Sequence, residues 1–169
     1  MPANWKHVLK LSETGMETAF VIDNTNYIES ILKEILVKYI SPPKERIPFL
    51  NDIILNNSML NLGAKVKVFL YLMEKSNWKK IDQNHFHIIL DVRNAFAHCG
   101  VSSPNIEVRI NEDGSTTVTD IYYLIESVKS SGKFTKVKRR DALHKFTHSY
   151  VAVKDYLHEI LKNLEENRA

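Results

Sequence analysis

The apolar residues of this chain keep one spacing over most of its length and another over a single stretch. From Glu17 to about Ile40, Phe20, Tyr27, Ile28, Ile31, Leu32, Ile35, Leu36 and Tyr39 recur every three or four residues until Pro42-Pro43. That is one face of a long helix that needs partners. After a loop over residues 41–48, Phe49, Leu50, Ile53 and Ile54 predict a short helix ending in Asn56-Asn57-Ser58. Asn61 to Glu74 carries Leu62, Val66, Phe69, Leu70 and Met73 at helical period, with Gly63 and Ala64 small enough to let another helix come close. Asp141 to Asn163 repeats the pattern with Leu143, Phe146, Tyr150, Val153, Leu157, Ile160 and Leu161.

Between residues 105 and 138 the period falls to two. Ile106, Val108 and Ile110 alternate with polar residues, residues 111–115 read Asn-Glu-Asp-Gly-Ser, and Val118 to Val128 is rich in Ile and Tyr. A hairpin is predicted, and Ser130-Ser131-Gly132 turns it into a third strand over Phe134 to Lys138. The expected fold is mainly α: one domain over residues 1–169, a helical up-down bundle with a small antiparallel β-meander inserted before the last helix. Its size suits a single domain of about 100 to 200 residues. With only 5 Gly and 5 Pro there is little room for flexible linkers. No apolar run approaches the roughly 18 residues that cross a bilayer, and the first residues hold no hydrophobic signal core, so a cytoplasmic protein is expected. The single cysteine, Cys99, can form neither an internal disulfide nor a thiolate zinc site by itself.

The segment from Ile81 to Ala97 is free of Gly and Pro, and Asp82 is a good N-cap. Successive helical residues lie about 100° apart, which puts His85, Ile88, Ile89, Val92 and Phe96 on one face. His87, Asp91, Asn94 and His98 then line the opposite side. Gly100 is the expected terminator, leaving His98 and Cys99 in a partly unwound last turn.

The string Asp91-Val92-Arg93-Asn94-Ala95-Phe96-Ala97-His98 resembles the Arg-x4-to-6-His motif of the HEPN superfamily, in which a polar residue such as Asn usually follows the Arg; here four residues, Asn94 the first, lie between Arg93 and His98. The nearest form is the RN-x-F-A-H version found in bacterial HEPN-like proteins, including the mannitol-operon repressor family, which the chain also resembles at Leu62-Gly63-Ala64-Lys65-Val66-Lys67. The resemblance covers roughly residues 17 to 100 and the final helix. It implies a homodimer whose two motifs share one metal-independent ribonuclease site and leave a 2′,3′-cyclic phosphate, with no cofactor. His98 would be the proton-transfer group, Arg93 the phosphate clamp and Asn94 the residue that orients the imidazole, with Asp91 and His87 in support. These residue types suit that chemistry: an imidazole moves protons near neutral pH, and a guanidinium matches two phosphate oxygens. On a straight helix residues five apart diverge by about 140°, so Arg93 and His98 converge on one phosphate only if the helix frays or a second chain contributes one of them. The family includes toxins of toxin–antitoxin pairs, in which a protein antitoxin modifies a Tyr two residues beyond the motif His. Here that position is Gly100. The mannitol-repressor relatives supply the alternative reading, a non-catalytic regulator or protein-interaction module.

Net charge is only +3, but Lys129, Lys133, Lys136, Lys138, Arg139, Arg140 and Lys145 stand against the lone acid Asp141 between residues 129 and 145. This local surplus makes Lys133, Lys136, Lys138, Arg139 and Arg140 the candidate RNA-binding residues; a solvated strand face is the alternative. Tyr122 and Tyr123 alternate faces, one for packing and one able to stack a base. His85 falls on the apolar face, and His144 and His148 share a helix face without a carboxylate to complete a ligand set, so no metal site is expected. Phe86, Leu90 and Ala97 border the polar line and are expected to be covered by the second chain of the dimer.

Overall fold

The computed structural model describes residues 4–98, 104–128 and 134–166. Its elements are α1 (Asn4–Ile40), a 3-10 turn (Lys44–Arg46), α2 (Ile47–Phe49), a π turn (Leu50–Ile54), α3 (Leu62–Lys75), α4 (Asn84–His98), β1 (Asn105–Ile110), β2 (Thr116–Tyr122), β3 (Leu124–Val128), β4 (Phe134–Lys138) and α5 (Arg139–Glu166). The chain is mainly α, with a small antiparallel β region ahead of the last helix. Among the described residues no helix is long and apolar enough to cross a membrane.

Local sequence explains most of the helix ends. The side chain of Asn61 accepts from the Ala64 backbone N–H at 2.9 Å and starts α3. At the other end Asn77 adopts φ 52°, while Trp78 N–H reaches back to the Met73 carbonyl, a left-handed terminator for which Asn is suited. Asp82 accepts from Asn84 N–H ahead of α4. The start of α1 differs from expectation: the helix begins at Asn4, and after Pro2 no proline interrupts the chain before Pro42.

The chain divides into two compact units, one formed by the residues up to Ile22 with Asp91–Thr147, the other by Asp23–Leu90 with the residues from His148 on. In the second unit Ile28, Ile31, Leu32, Ile35 and Leu36 of α1 are buried, as the sequence pattern predicts. Phe69 of α3 is the hub of an aromatic core, with the rings of Phe86, Trp78 and Tyr156 at 5.8, 6.0 and 6.2 Å. The fully buried Lys65 pairs with Glu29 and donates to Asn57, whose amide in turn donates to Glu29. Glu29 with Lys65, and Tyr39 with Trp78, make α1 and α3 run in the same direction, so residues 41–61 form the return leg. Gly63 does not serve a close helix approach: a side chain there would meet only the Asn61 oxygen, at 3.5 Å.

In the other unit the β region is two separate antiparallel ribbons, β1–β2 and β3–β4, instead of one three-stranded meander. The expected strand over Val118 to Val128 is broken at Tyr123, whose carbonyl accepts from Arg139 N–H at 2.8 Å. The turn at Ser130-Ser131-Gly132 lies outside the described residues. Asn111–Ser115 closes the first ribbon: Gly114 takes φ 78°, which favours glycine, and the Asp113 carboxylate accepts from both the backbone and the hydroxyl of Ser115.

Candidate functional site

Along α4 the residues alternate as a half-buried helix requires. Val92, Ala95 and Phe96 face the core, and Asp91, Asn94 and His98 are exposed. Arg93 is half-buried, and its Nη1 donates to the Asn94 side-chain oxygen at 3.1 Å. Asn94 therefore holds Arg93, where the sequence reading had it orienting His98. The helix is regular through His98, so within one chain Arg93 and His98 point apart. The expected unwinding does not begin before His98, and Cys99 and Gly100 lie outside the described residues. His87, the supporting residue on the first half of α4, is exposed.

Phe96, inside the motif string, is fixed from above. The Arg139 guanidinium sits 4.3 Å from its ring centroid, ion-pairs with Glu17 and donates to Thr18 at 2.9 Å. Arg139 is buried, so its place among the RNA-binding candidates is corrected: it is an internal clamp. Three further members of the basic cluster, Lys136, Lys138 and Arg140, are matched by acids from preceding strands. Lys136 pairs with Glu126 at 2.6 Å, Lys138 with Glu107 at 3.0 Å and Asp120 at 3.1 Å, and Arg140 grips both oxygens of Asp120 at 3.2 and 2.8 Å. The hydrogen bond from Lys138, helped by the Arg140 charge, holds the Asp120 carboxyl below its usual range; the bond to Glu107, then that to Asp120, pushes the Lys138 ammonium above its own. Lys138 also lies 4.1 Å over the Tyr122 ring, occupying a face the sequence had offered to a base. Counting charges along one window missed these partners because they sit across strands. Lys133 lies outside the described residues.

Two further expectations are corrected. Phe86, placed on a flank to be covered by a second chain, is 1% exposed and belongs to the Phe69 cluster. Leu90 is half-buried and Ala97 is exposed, so of the three flanking residues only Phe86 is withdrawn from the surface. His85 is satisfied internally: its Nδ1 lies 3.2 Å from Ser149 Oγ, and its ring is 5.6 Å from that of His148. Among the described residues no three His, Cys, Asp or Glu side chains gather as metal ligands would.

Sequence reasoning did not find the Glu29–Asn57–Lys65 cluster. The one signal for it was Lys65 four residues before Phe69, a core phase of α3. A cavity of about 460 Å³ lies between the end of α1 and the return leg, lined by Lys33, Val37, Lys38, Pro42, Ile47 and Asn51 among others, and it includes none of the expected site residues. The chain matches no family model, no curated protein and no solved structure.

Proposed function

We propose that this protein is a HEPN-type, metal-independent endoribonuclease of the cytoplasm, acting as a homodimer on single-stranded RNA in a toxin, defence or RNA-processing role. The observation that carries the reading is the outward position of the motif on α4, where Asn94 and His98 are exposed and Arg93 stands half-open beside Asn94. In the reaction the 2′-hydroxyl attacks the adjacent phosphorus as its proton is removed, and the 5′-oxygen leaves with a proton. The products are a 2′,3′-cyclic phosphate and a 5′-hydroxyl. His98 moves a proton, and Arg93 neutralises the charge gathering on the phosphate oxygens. Because the two side chains diverge by about 140° on an unbroken helix, the second half of each site comes from the partner chain.

The test is incubation of the pure protein with labelled single-stranded RNA in EDTA. Cleavage by the parent, lost in His98→Ala and in Arg93→Ala, supports the reading. No cleavage by the parent, or equal cleavage by both variants, refutes it.

A second reading is favoured by the internal pairing of Lys136, Lys138 and Arg140 and the burial of Arg139, which engage four of the five RNA-binding candidates within the chain itself. It is a non-catalytic regulator or interaction module of the mannitol-repressor kind, which binds a protein partner such as an antitoxin through the same helices. Under that reading the motif variants alter partner binding while RNA stays intact.

A further inference from the structure

A two-stranded ribbon alone in water is marginal, because its faces have nothing to pack against. In β1–β2 the faces differ in character. Asn105, Glu107 and Arg109, opposite Tyr122, Asp120 and Thr117, make a polar face. That face is tied to its unit through Lys138 and Arg140, which hold Glu107 and Asp120. The other face carries Ile106 opposite Ile121 and Val108 opposite Val118, with Ile110 beside them. These five aliphatic side chains are between 51% and 75% exposed. An antiparallel sheet usually covers its apolar face, yet here the aliphatic face is left as open as Glu107, Arg109 and Thr117 on the polar one.

An irregularity in β2 assembles this face. Val118 and Ile121 are three residues apart, so on an unbroken strand they would point to opposite sides. The register shifts by one residue between Glu107 and Val108, leaving Thr119 as the extra residue, and its hydroxyl donates to the Glu107 carbonyl at 3.2 Å. The bulge brings Val118 and Ile121 to the same side.

We propose that this aliphatic face is the contact surface for a second copy of the chain, two ribbons packing face to face about a two-fold axis as a small four-stranded sandwich. Size supports this occupant. Five aliphatic side chains at these exposures present roughly 500 Å² of apolar surface, beyond what singly scattered residues leave on a monomer and, with a polar rim, close to what one partner of a standard dimer buries. Charge supports it too. The face holds no ionisable residue, so it meets no like charge when set against itself, and it gives a nucleic acid or a charged peptide nothing to pair with. None of Arg93, Asn94 and His98 belongs to it: the proposal rests on the homodimer of the nuclease reading and adds the surface that holds it, so lysine variants that stay dimeric would overturn this surface alone.

The experiment is light scattering and sedimentation velocity on the full chain across the micromolar range, for the parent, Val108→Lys, Ile110→Lys and a control, Tyr71→Lys, at an exposed aromatic on α3. The parent and the control run at twice the 19.6 kDa chain mass. Both strand variants run at the single mass with unchanged circular dichroism, since an exposed strand position accepts lysine. Val108→Thr, which keeps the β-branched shape, weakens the dimer without loss of strand. A parent at single-chain mass, or lysine variants that keep the dimer mass, overturns the proposal. A monomeric parent that binds an apolar dye through Ile110 also overturns it, and gives the face to a different partner.

Discussion

The Arg139 guanidinium covers the Phe96 ring at 4.3 Å while it pairs with Glu17, so one cation at the first residue of α5 ties the core-facing side of the motif string to α1. The ends of this clamp are 122 residues apart in sequence. Its effect is to fix the turn of α4 that carries Arg93 and Asn94 on its outer side.

Removing the guanidinium leaves the half-buried Glu17 carboxylate and the Phe96 ring without their partner. Arg139→Ala is expected to lower stability by about 3 kcal/mol, the usual cost of breaking a buried pair from one side. Arg139→Lys recovers only part of this, since an ammonium cannot stack on Phe96 and reach Glu17 and Thr18 together. Urea titration of the three proteins checks the order.

Lys65 and Glu29 form a closed set with Asn57 among apolar side chains. Lys65→Met strands the Glu29 charge and should cost about 3 to 5 kcal/mol, as should Glu29→Met by stranding Lys65, whereas the double variant should be more stable than either single one. A double-mutant cycle by chemical denaturation reads the coupling directly. Additive losses would show that the pair is solvated and uncoupled.

The fold was legible where its cause is local. Asn61, Asp82 and Pro42-Pro43 announce helix ends because each acts on the backbone beside it, and the change of period from three-or-four to two marks the β region. The break at Tyr123 was not legible, since residues 118–128 all suit a strand and the interruption comes from the Arg139 amide. Phe86 was misplaced for a related reason: helix-wheel geometry puts it at the edge of the apolar face, and only the position of Phe69 decides that the edge is core. For the site, the sequence correctly put Asp91, Asn94 and His98 on the outer side of α4, but it had no means of seeing that Asn94 would bond Arg93. The acids that answer the basic cluster, Glu107, Asp120 and Glu126, precede it in the chain and meet it only across strands.

The Asp120 pairings give a stability with a defined pH window. Its carboxyl is held below the ordinary 3.8, chiefly by the hydrogen bond from Lys138, so the contribution is present above that value and is lost as pH falls through the lower folded one. Lys138, raised above 10.5 first by its bond to Glu107, contributes fully below that value and loses its contribution as pH rises through the higher folded one. Asp120→Asn should therefore melt below the parent near neutrality, with the gap closing in strong acid. A gap independent of pH across the acid range would mean that the charge of Asp120 plays no part.

Under the proposed function His98 and Arg93 direct attack by a ribose 2′-hydroxyl. The most direct measurement is mass spectrometry of the ends produced from a defined single-stranded RNA in EDTA, alongside the same oligonucleotide carrying 2′-deoxyribose at the cleaved position. The expected result is 2′,3′-cyclic phosphate and 5′-hydroxyl ends from the parent, none from His98→Ala or Arg93→Ala, and no cleavage at the deoxy position. Intact RNA with the parent, or cleavage that survives either the deoxy substitution or the loss of His98, would contradict it.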